Sequence, residues 1–324
     1  NYFSDHGSFR LRSPTGDLSW APASQRSRAT PENHAIPDLR LDRLTSSRVA
    51  AFRRCPRYHA HVYLDRYEVP PSAPQALGTA VHAQLARLWS GAAIELTGDA
   101  IADALLAGYV AHWGRPAPCA VEVPFDCPLP SVDLLAVHET LRLAGTIDAL
   151  DFSLGAIVEH KTASSIDEDY WARIAMDSQI SQYVIGAESL GAHVTSVIYD
   201  VIRTPALRPL LATPETSRKH TKDGKLYAAQ RDQDETPEEF ADRVRLDIAA
   251  RPEHYFQRRT FVRTAAQLSA HLRSIWEWAD LIMTDSRAQN TDACTRFGTC
   301  PFFHSCSTGS EPDYRRTPPE IDAA

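Results

Sequence analysis

Three charged residues stand at the ends of two apolar segments near the middle of the chain. Asp148 follows the residues GTI, and Glu159 and Lys161 lie within AIVEHKT. Residues i and i+2 of a strand point to the same face, so Glu159 and Lys161 project together. The turn DFSLGA between the segments can fold Asp148 back beside Glu159. The pattern therefore predicts two strands that bring two carboxylates and one amine to the same place.

Two adjacent carboxylates offer the hard oxygen ligands that Mg²⁺ or Mn²⁺ takes in proteins. A lysine beside such a metal can orient or deprotonate a water, which then attacks a phosphoryl centre that the metal polarises. The alternative is an ion pair between Glu159 and Lys161 at the edge of a sheet. On these three residues alone, both interpretations stay open.

Hydrophobic periodicity predicts the elements that carry these residues. A helix begins with Thr45 or Ser46 as its N-cap, and Pro56 breaks or kinks it. Further helices are predicted over residues 77–89, 168–191, 236–250 and 264–288. Strands are predicted over residues 120–125, 134–139, 141–152, 156–162 and 193–203. The order predicts an α/β core, built from a small sheet with a crossover helix. Additional helices precede and follow this core along the chain.

The composition suggests one main domain with loose ends. Residues 1–43 are rich in Ser, Pro, Arg and Asp and show little periodicity, which indicates a loose N-terminal segment. The predicted division is a single domain over 44–306, with its core over about 77–203, helical parts over 44–76 and 236–306, and a flexible tail over 307–324.

The charge of the whole chain argues against a protein that binds nucleic acid over its entire surface. The 324 residues carry a net charge of −7, with a pI near 6.0. Two regions are locally basic: residues 40–66 hold seven arginines against two aspartates, and residues 203–231 hold seven cations against two acids. Charge runs of this kind are usually solvated faces. We find no apolar run of 18 residues and no secretion signal, and so expect a cytoplasmic protein that does not span a membrane.

Cysteine spacing indicates a second site. Three of the six cysteines fall within thirteen residues at the C-terminal end, at positions 294, 300 and 306. Disulfides are unusual in a cytoplasmic protein, so this spacing favours a metal or cluster site. Cys119 and Cys127 flank a strand and are expected to be ordinary buried residues.

The segment GTID followed by VEHKT resembles the motif of the PD-(D/E)XK nuclease superfamily. In this chain Ile147 stands where the motif has its leading proline. The resemblance is closest to the RecB-like branch, which includes nuclease domains of bacterial recombination helicases and CRISPR-associated exonucleases. That branch carries a GxxxH helix upstream, matched by GTAVH at residues 78–82, and a Gln-x-x-x-Tyr motif, matched by Gln179 and Tyr183. The order and rough spacing of these motifs agree from residue 45 to residue 306.

The resemblance implies a restriction-endonuclease-like core and a role for each matched residue. Asp148, Glu159, the backbone carbonyl of His160 and an imidazole nitrogen of His82 would bind Mg²⁺ or Mn²⁺. Lys161 would position the attacking water and stabilise developing charge. Gln179 and Tyr183 would bind the scissile strand or brace the site.

Many members of the branch also bind a [4Fe-4S] cluster through one cysteine before the nuclease core and three after it. The matching positions here are Cys55, Cys294, Cys300 and Cys306. The family more often has two and then five residues between the last three cysteines, whereas this chain has five and five. Zinc is therefore an alternative, with His304 in place of Cys55. A cluster that includes Cys55 would join the N- and C-terminal helical parts.

The resemblance implies a metal-dependent DNA nuclease. The expected activity is an exonuclease on single-stranded DNA ends in recombination, repair, or phage or CRISPR DNA processing, with a helicase or a recombination or CRISPR protein as a possible partner. The two basic regions would supply phosphate-binding surfaces. Tyr58, Tyr63, Tyr67 and Tyr227 could stack on bases, although tyrosines in such positions are more often core residues. The rivals are a non-catalytic DNA-binding or scaffold subunit and a zinc-stabilised structural protein.

Overall fold

The computed structural model describes residues 41–133, 135–296 and 298–317. The predicted N-terminal segment up to residue 40, and residues 318–324 of the predicted tail, lie outside the described residues. Within the part described, no helix is both long and apolar enough to cross a bilayer.

A mixed sheet of six strands forms the centre of the described structure. Its strands are β1 (Arg43–Leu44), β2 (Ala120–Pro130), β3 (Val137–Asp151), β4 (Ala156–Ala163), β5 (Ser196–Arg203) and β6 (Phe256–Phe261). The two strands predicted over 134–139 and 141–152 are one continuous strand, β3. The edge strand β6 was missed because its polar centre, QRR, hides the apolar alternation.

The long strand β3 determines how the sheet divides. β2 pairs antiparallel with β3 along most of its length. β4 pairs antiparallel with β3 only from Ala149 to Asp151, and β1 pairs parallel with Arg142 and Leu143. Because β2 occupies one edge of β3, β1 and β4 must share its other edge. β5 then runs parallel to β4, and β6 runs antiparallel to β5.

Helices cover both faces of this sheet. The longer ones are α1 (Ser46–Arg54), α3 (Ala73–Trp89), α4 (Ala100–Trp113), α5 (Glu168–Ala175), α6 (Ser178–Ser189), α7 (Pro237–Ala250) and α9 (Ala265–Met283). The short ones are α2 (Pro56–His59), a π-helix (Ala60–Leu64), α8 (Pro252–Tyr255) and α10 (Phe303–Thr308), with 3₁₀ turns over Glu215–Ser217 and Thr291–Ala293. This arrangement of a mixed sheet flanked by helices is consistent with the expected restriction-endonuclease-like fold.

Alternation along the strands separates two hydrophobic cores. The neighbouring residues Val201 and Ile202 of β5 point to opposite faces. Val201 lies in a core that contains residues of α6 and α9, and Ile202 lies in a core built with α3, α4 and α7. A third, smaller core joins the π-helix to the C-terminal cysteine segment through Tyr63 and Phe302.

Local capping explains where two predicted helices begin and end. Thr45 accepts a hydrogen bond from the backbone nitrogen of Arg48 at 3.2 Å, which confirms the predicted N-cap of α1. The long helix predicted over 168–191 is wrong as a single element, because the Asp177 side chain accepts from the backbone nitrogen of Gln179 at 2.9 Å and starts α6 anew. Gln179 therefore lies in the first turn of a helix.

The described part of the predicted flexible tail packs on the domain. The backbone nitrogen of Glu68 donates to the carbonyl of Arg315 at 2.9 Å, and that of Thr317 donates to the carbonyl of Arg66 at 3.0 Å. The packed region thus extends past the boundary expected at residue 306. The division of the chain into domains otherwise stays a prediction.

Candidate active site

The sheet opens where the charged residues stand. The ladder between β3 and β4 ends at the pair Ala149 and Val158, and the next opposed pair is Asp148 and Glu159. The Asp148 Oδ2 atom accepts a hydrogen bond from the backbone nitrogen of His160 at 2.8 Å. A carboxylate thus takes the place of the missing ladder partner, and the two acids lie side by side as the strands separate.

A chain of contacts links four of the six side chains that the motifs predict. The Lys161 Nζ atom donates to Glu159 Oε1 at 2.5 Å and to Gln179 Oε1 at 2.9 Å. The Gln179 Nε2 atom donates to the Tyr183 hydroxyl at 2.7 Å. Lys161 therefore contacts Glu159, two residues earlier on the same strand, and Gln179, which lies one helical turn before Tyr183 and contacts it.

Burial and the partner's charge have opposite effects on the pKa values of Glu159 and Lys161. Glu159 is only 2% exposed, and burial raises the pKa of its carboxyl well above the ordinary value, with Lys161 opposing and Asp148 adding to the rise. Burial lowers the pKa of Lys161, but the Glu159 carboxylate outweighs it and the pKa lies above the usual value. Lys161 is therefore charged at neutral pH.

His82 approaches the carboxylates from α3. Its Nδ1 atom lies 3.6 Å from Asp148 Oδ2, and its ring meets the His160 ring edge to face at 6.2 Å between centroids. Burial lowers the pKa of His82 to about 4, although Asp148 acts in the opposite direction. The imidazole is therefore neutral at pH 7, which is the form that binds a metal.

Gly78 explains why His82 can reach the site. A Cβ atom at this position would lie 2.9 Å from the Thr162 Oγ1 atom on β4. Only glycine lets α3 approach the strand this closely. His82 lies one turn further along the same face of the helix. In the GTAVH segment, Gly78 thus allows the close packing and His82 reaches Asp148.

Sequence reasoning missed a third carboxylate. Glu122 on β2 lies opposite Asp148, because its neighbours Val121 and Val123 pair with Ala149 and Ile147. Its φ is +48°, a left-handed value that is strained for a residue other than glycine. Partial desolvation raises the pKa of Glu122, and the Asp148 carboxylate adds to the rise. A lone acid in the apolar segment AVEVPF was the available signal.

The donors fit a hard divalent cation. Asp148, Glu159 and Glu122 supply oxygen, His82 supplies a neutral imidazole, and Glu159 Oε2 is buried without a hydrogen-bond partner. Such an oxygen would gain a partner from a bound cation. Among the described residues, no three acidic, histidine or cysteine side chains form a ready-made metal cage. The fit therefore rests on donor chemistry around Asp148.

His160 is held on the other side of β4 by a buried network that the sequence did not reveal. Asp200 lies opposite His160 on β5 and has 0% exposure. Its Oδ2 atom lies 3.3 Å from His160 Nδ1 and 3.0 Å from an Arg258 guanidinium nitrogen, and it accepts from the Tyr109 hydroxyl. Burial raises the pKa of Asp200, but His160 and Arg258 outweigh it, and the pKa stays below the usual range.

The four predicted cysteine ligands line one small pocket together with Arg54, Tyr58 and Phe302. Cys55 sits in an extended turn between α1 and α2, and its sulfur accepts from the backbone nitrogen of Asn290 at 3.4 Å. Burial raises the pKa of Cys306, and the other three cysteines add to the rise. The four thiols therefore interact electrostatically.

His304, the alternative zinc ligand, and the two remaining cysteines do not line this pocket. Cys127 is buried as predicted, whereas Cys119 is half-buried.

Part of the basic region over residues 40–66 packs inside the protein. Arg48 is 2% exposed and donates to two backbone oxygens at 2.8 Å each. Tyr63 and Tyr67 are 3% and 4% exposed and belong to a core. The expectation that these three side chains face nucleic acid is therefore wrong, because tertiary packing uses them inside the protein.

Comparison with known proteins adds the following. A family model of the PD-(D/E)XK nuclease superfamily matches residues 43–113, a stretch that contains Cys55 and His82 and ends before Asp148. Among solved structures, the chain is similar to a phage related exonuclease from Haemophilus somnus 129PT, with 13% identity and a TM-score of 0.29, over 67% of this chain and 90% of that chain. A TM-score of this size supports no inference. No curated protein matches the chain.

Proposed function

We propose that the protein is a metal-dependent DNA nuclease of the PD-(D/E)XK type, a phosphodiester hydrolase of the RecB-like branch. The observation that carries the proposal is the opened sheet, where Asp148 and Glu159 lie side by side and Lys161 contacts both Glu159 and Gln179. The match of a PD-(D/E)XK nuclease family model to residues 43–113 supports a nuclease. We further propose that it acts as an exonuclease on single-stranded ends, in the cytoplasm.

Each side chain of the site has a distinct task in this proposal. A divalent cation held by Asp148, Glu159, the His160 carbonyl and His82 would supply Lewis acidity at the phosphoryl oxygen. Lys161 remains protonated, because its pKa is raised. In this proposal Lys161 therefore orients the attacking water and stabilises the negative charge that develops, and the water's proton passes to bulk solvent.

Gln179 and Tyr183 position Lys161. The Gln179 amide uses its oxygen for the Lys161 ammonium and its nitrogen for the Tyr183 hydroxyl. The amide is thereby fixed in one orientation, which keeps the ammonium within reach of both the acid and the reacting water. Preorganised charge of this kind is usually the largest contribution to catalysis.

We also propose that Cys55, Cys294, Cys300 and Cys306 hold a [4Fe-4S] cluster, with zinc as the alternative. Around one zinc ion, four thiolates would lie about 3.8 Å apart, since the zinc–sulfur bond is about 2.3 Å. In the cluster each thiolate binds a different iron, so the sulfurs lie further apart. The four thiols line one small pocket, which supports a shared site. The role is structural, because the cluster would tie Cys55 to the C-terminal segment.

Digestion of end-labelled DNA tests the proposal. Protein purified without oxygen is incubated with Mg²⁺ or Mn²⁺ and with linear or circular single-stranded DNA, or with duplex DNA. Linear single strands should be degraded from an end, whereas circular strands should persist. Glu159→Gln, purified in parallel, should be inactive. Cleavage of circular strands would contradict the exonuclease proposal, and full activity of Glu159→Gln would contradict the site.

A non-catalytic scaffold subunit is the second candidate. The motif residues Asp148, Glu159 and Lys161 are all present, and Lys161 contacts Glu159, which counts against it. Recruitment by a helicase or by a recombination or CRISPR protein is compatible with either candidate.

A further inference from the structure

Lysine has an uneven distribution in this chain. Among the 34 basic residues of the sequence, 30 are arginines and only four are lysines. One is Lys161 of the candidate active site. The other three, Lys219, Lys222 and Lys225, fall within seven consecutive residues. The proposed nuclease site does not use these three residues.

The three lysines lie at the tip of a folded-back segment over residues 213–231, which we name the lysine arm. At its base, the backbone nitrogen of Thr213 donates to the carbonyl of Arg231 at 2.8 Å. Near its tip, the backbone nitrogen of Thr221 donates to the carbonyl of Lys225 at 2.7 Å, and Gly224 takes a φ of +75° that suits the turn. The arm is thus tied at both ends, and the lysines are presented at the turn.

Nearby acids are used to fix the base of the arm. Glu235 pairs with Arg243 at 2.7 Å, and Glu239 pairs with Arg231 at 2.5 Å. Two acids of the stretch after the arm are therefore paired with arginines at its base. Residues 219–225 carry three lysines against Asp223, a net charge of +2.

The tip lysines are available to a ligand. All three are exposed, and in the described portion of the chain none of them takes part in an ion pair. Tyr227, on the returning side of the arm, is 52% exposed. Its backbone nitrogen donates to the carbonyl of Lys219 at 3.2 Å, so the arm carries an exposed aromatic residue directly across from Lys219.

The segment that leads to the arm starts at the edge of the sheet that bears the active-site residues. β5 ends at Arg203, which lies opposite Ala163 of β4, and the backbone nitrogen of Thr204 donates to the Ala163 carbonyl at 2.8 Å. Ala163 is two residues beyond Lys161 on the same strand. Arg243 of α7 then holds the segment through the carbonyl of Arg208 at 2.7 Å.

We infer that the lysine arm is a sequence-independent binding site for the phosphate backbone of the nucleic acid strand that enters the active site. Lysine is a flexible point charge that suits phosphates without demanding a fixed geometry, unlike the planar fork of arginine. Tyr227 offers a ring on which any base can stack. The inference deepens the proposed nuclease function and rests on it for the identity of the ligand.

A salt titration tests the contact directly. Fluorescence anisotropy measures the binding of labelled oligo(dT) to the metal-free protein, so no turnover is needed. Each phosphate contact to a single strand contributes about 0.7 to the slope of log affinity against log salt. Replacing the three lysines together by Lys219→Gln, Lys222→Gln and Lys225→Gln should lower the slope by about 2 and weaken binding about 100-fold near 0.1 M salt.

A matched variant controls for net charge. Arg115→Gln, Arg273→Gln and Arg315→Gln together remove three exposed cations that lie outside both basic regions and should leave the slope unchanged. Both variants should melt like the wild type, because the substituted side chains are exposed. Equal slopes for the wild type and the lysine variant, or an equal drop in both variants, would overturn the inference.

Lysine acetylation provides a second readout that does not require a variant. Because the chain has only four lysines, mass spectrometry assigns every modified site. Oligo(dT) should protect the three arm lysines from acetylation, whereas poly-glutamate of similar charge should not. Protection by poly-glutamate alone would assign the arm to an acidic protein and overturn the inference.

Hydrolysis of bis(p-nitrophenyl) phosphate separates this inference from the proposed function. The compound is an activated phosphodiester too small to bridge the site and the arm. The lysine variant should hydrolyse it at the wild-type rate with Mn²⁺. One outcome is that the wild type hydrolyses neither this compound nor DNA, while the salt slope of oligo(dT) binding still depends on the arm lysines. In that case the proposed function fails and the nucleic acid contact stands.

Discussion

Replacement of Gly78 by alanine tests whether the approach of α3 to β4 places His82. The new Cβ atom would meet Thr162 Oγ1 at 2.9 Å. Thr162 can rotate away from this contact only at a cost, because a β-branched side chain is stiff at χ1. Otherwise the helix and the strand must move apart by a few tenths of an ångström.

The expected effect of Gly78→Ala on stability is small, and its effect on activity is larger. Overpacking costs about 1–3 kcal/mol, and alanine recovers about 1 kcal/mol over glycine within a helix. The free energy of unfolding should therefore fall by roughly 0–2 kcal/mol. Misplacement of a catalytic group by about 1 Å can cost about 100-fold in rate, so a smaller shift of His82 should cost about tenfold.

A double-mutant cycle with Thr162→Ala gives the decisive comparison. Removal of the Thr162 hydroxyl and methyl groups makes room for the new Cβ atom, so the double variant should recover most of the cleavage rate and of the apparent Mn²⁺ affinity. Thr162→Ala alone controls for loss of the threonine. If Gly78→Ala cleaves like the wild type, or if the double variant is no better than Gly78→Ala, then close packing at Gly78 does not position His82.

Three further substitutions test other parts of the structure. Glu122→Gln should raise the Mn²⁺ concentration needed for half-maximal cleavage and leave the melting temperature nearly unchanged, and an unaltered metal dependence would exclude Glu122 from the site. Cys300→Ala should give protein without iron or zinc that melts far below the wild type, because metal–thiolate sites can contribute on the order of 10 kcal/mol to folding. The control Cys119→Ala should melt nearly like the wild type. Equal melting temperatures of Cys300→Ala and the wild type would contradict the proposed structural metal site. Asp200→Ala should destabilise the protein by about 1–3 kcal/mol in urea unfolding, since it leaves the buried Tyr109 hydroxyl without its acceptor and the half-buried Arg258 without its acidic partner. A loss below about 1 kcal/mol would show that water satisfies these groups.

Contacts set by local periodicity were predictable from the sequence. Glu159 and Lys161 share a strand face, and Gln179 and Tyr183 share a helix face, so only one tertiary contact, between Lys161 and Gln179, had to be supplied by the fold. The family resemblance implied only that Gln179 and Tyr183 bind the scissile strand or brace the site, and it named no contact with Lys161. The N-cap at Thr45 was predictable for the same reason, because a cap depends on residues three positions apart.

Features that depend on strand order and register were not predictable. Glu122 and Asp200 are single acids in apolar segments, and only pairing with β3 and β4 shows that they face Asp148 and His160. The burial of Arg48 likewise depends on which elements pack around α1. The separation of α5 from α6 follows from one cap at Asp177, which periodicity alone does not reveal.

Lys161→Ala is the most direct test of the account as a metal-dependent nuclease. Calorimetric titration with Mn²⁺ and digestion of end-labelled single-stranded DNA are carried out on the same preparation. Because the protonated ammonium is not a metal ligand, the variant should bind Mn²⁺ at least as well as the wild type and release no labelled nucleotides. Wild-type cleavage by Lys161→Ala, or loss of Mn²⁺ binding as severe as that of Glu159→Ala, would contradict the account.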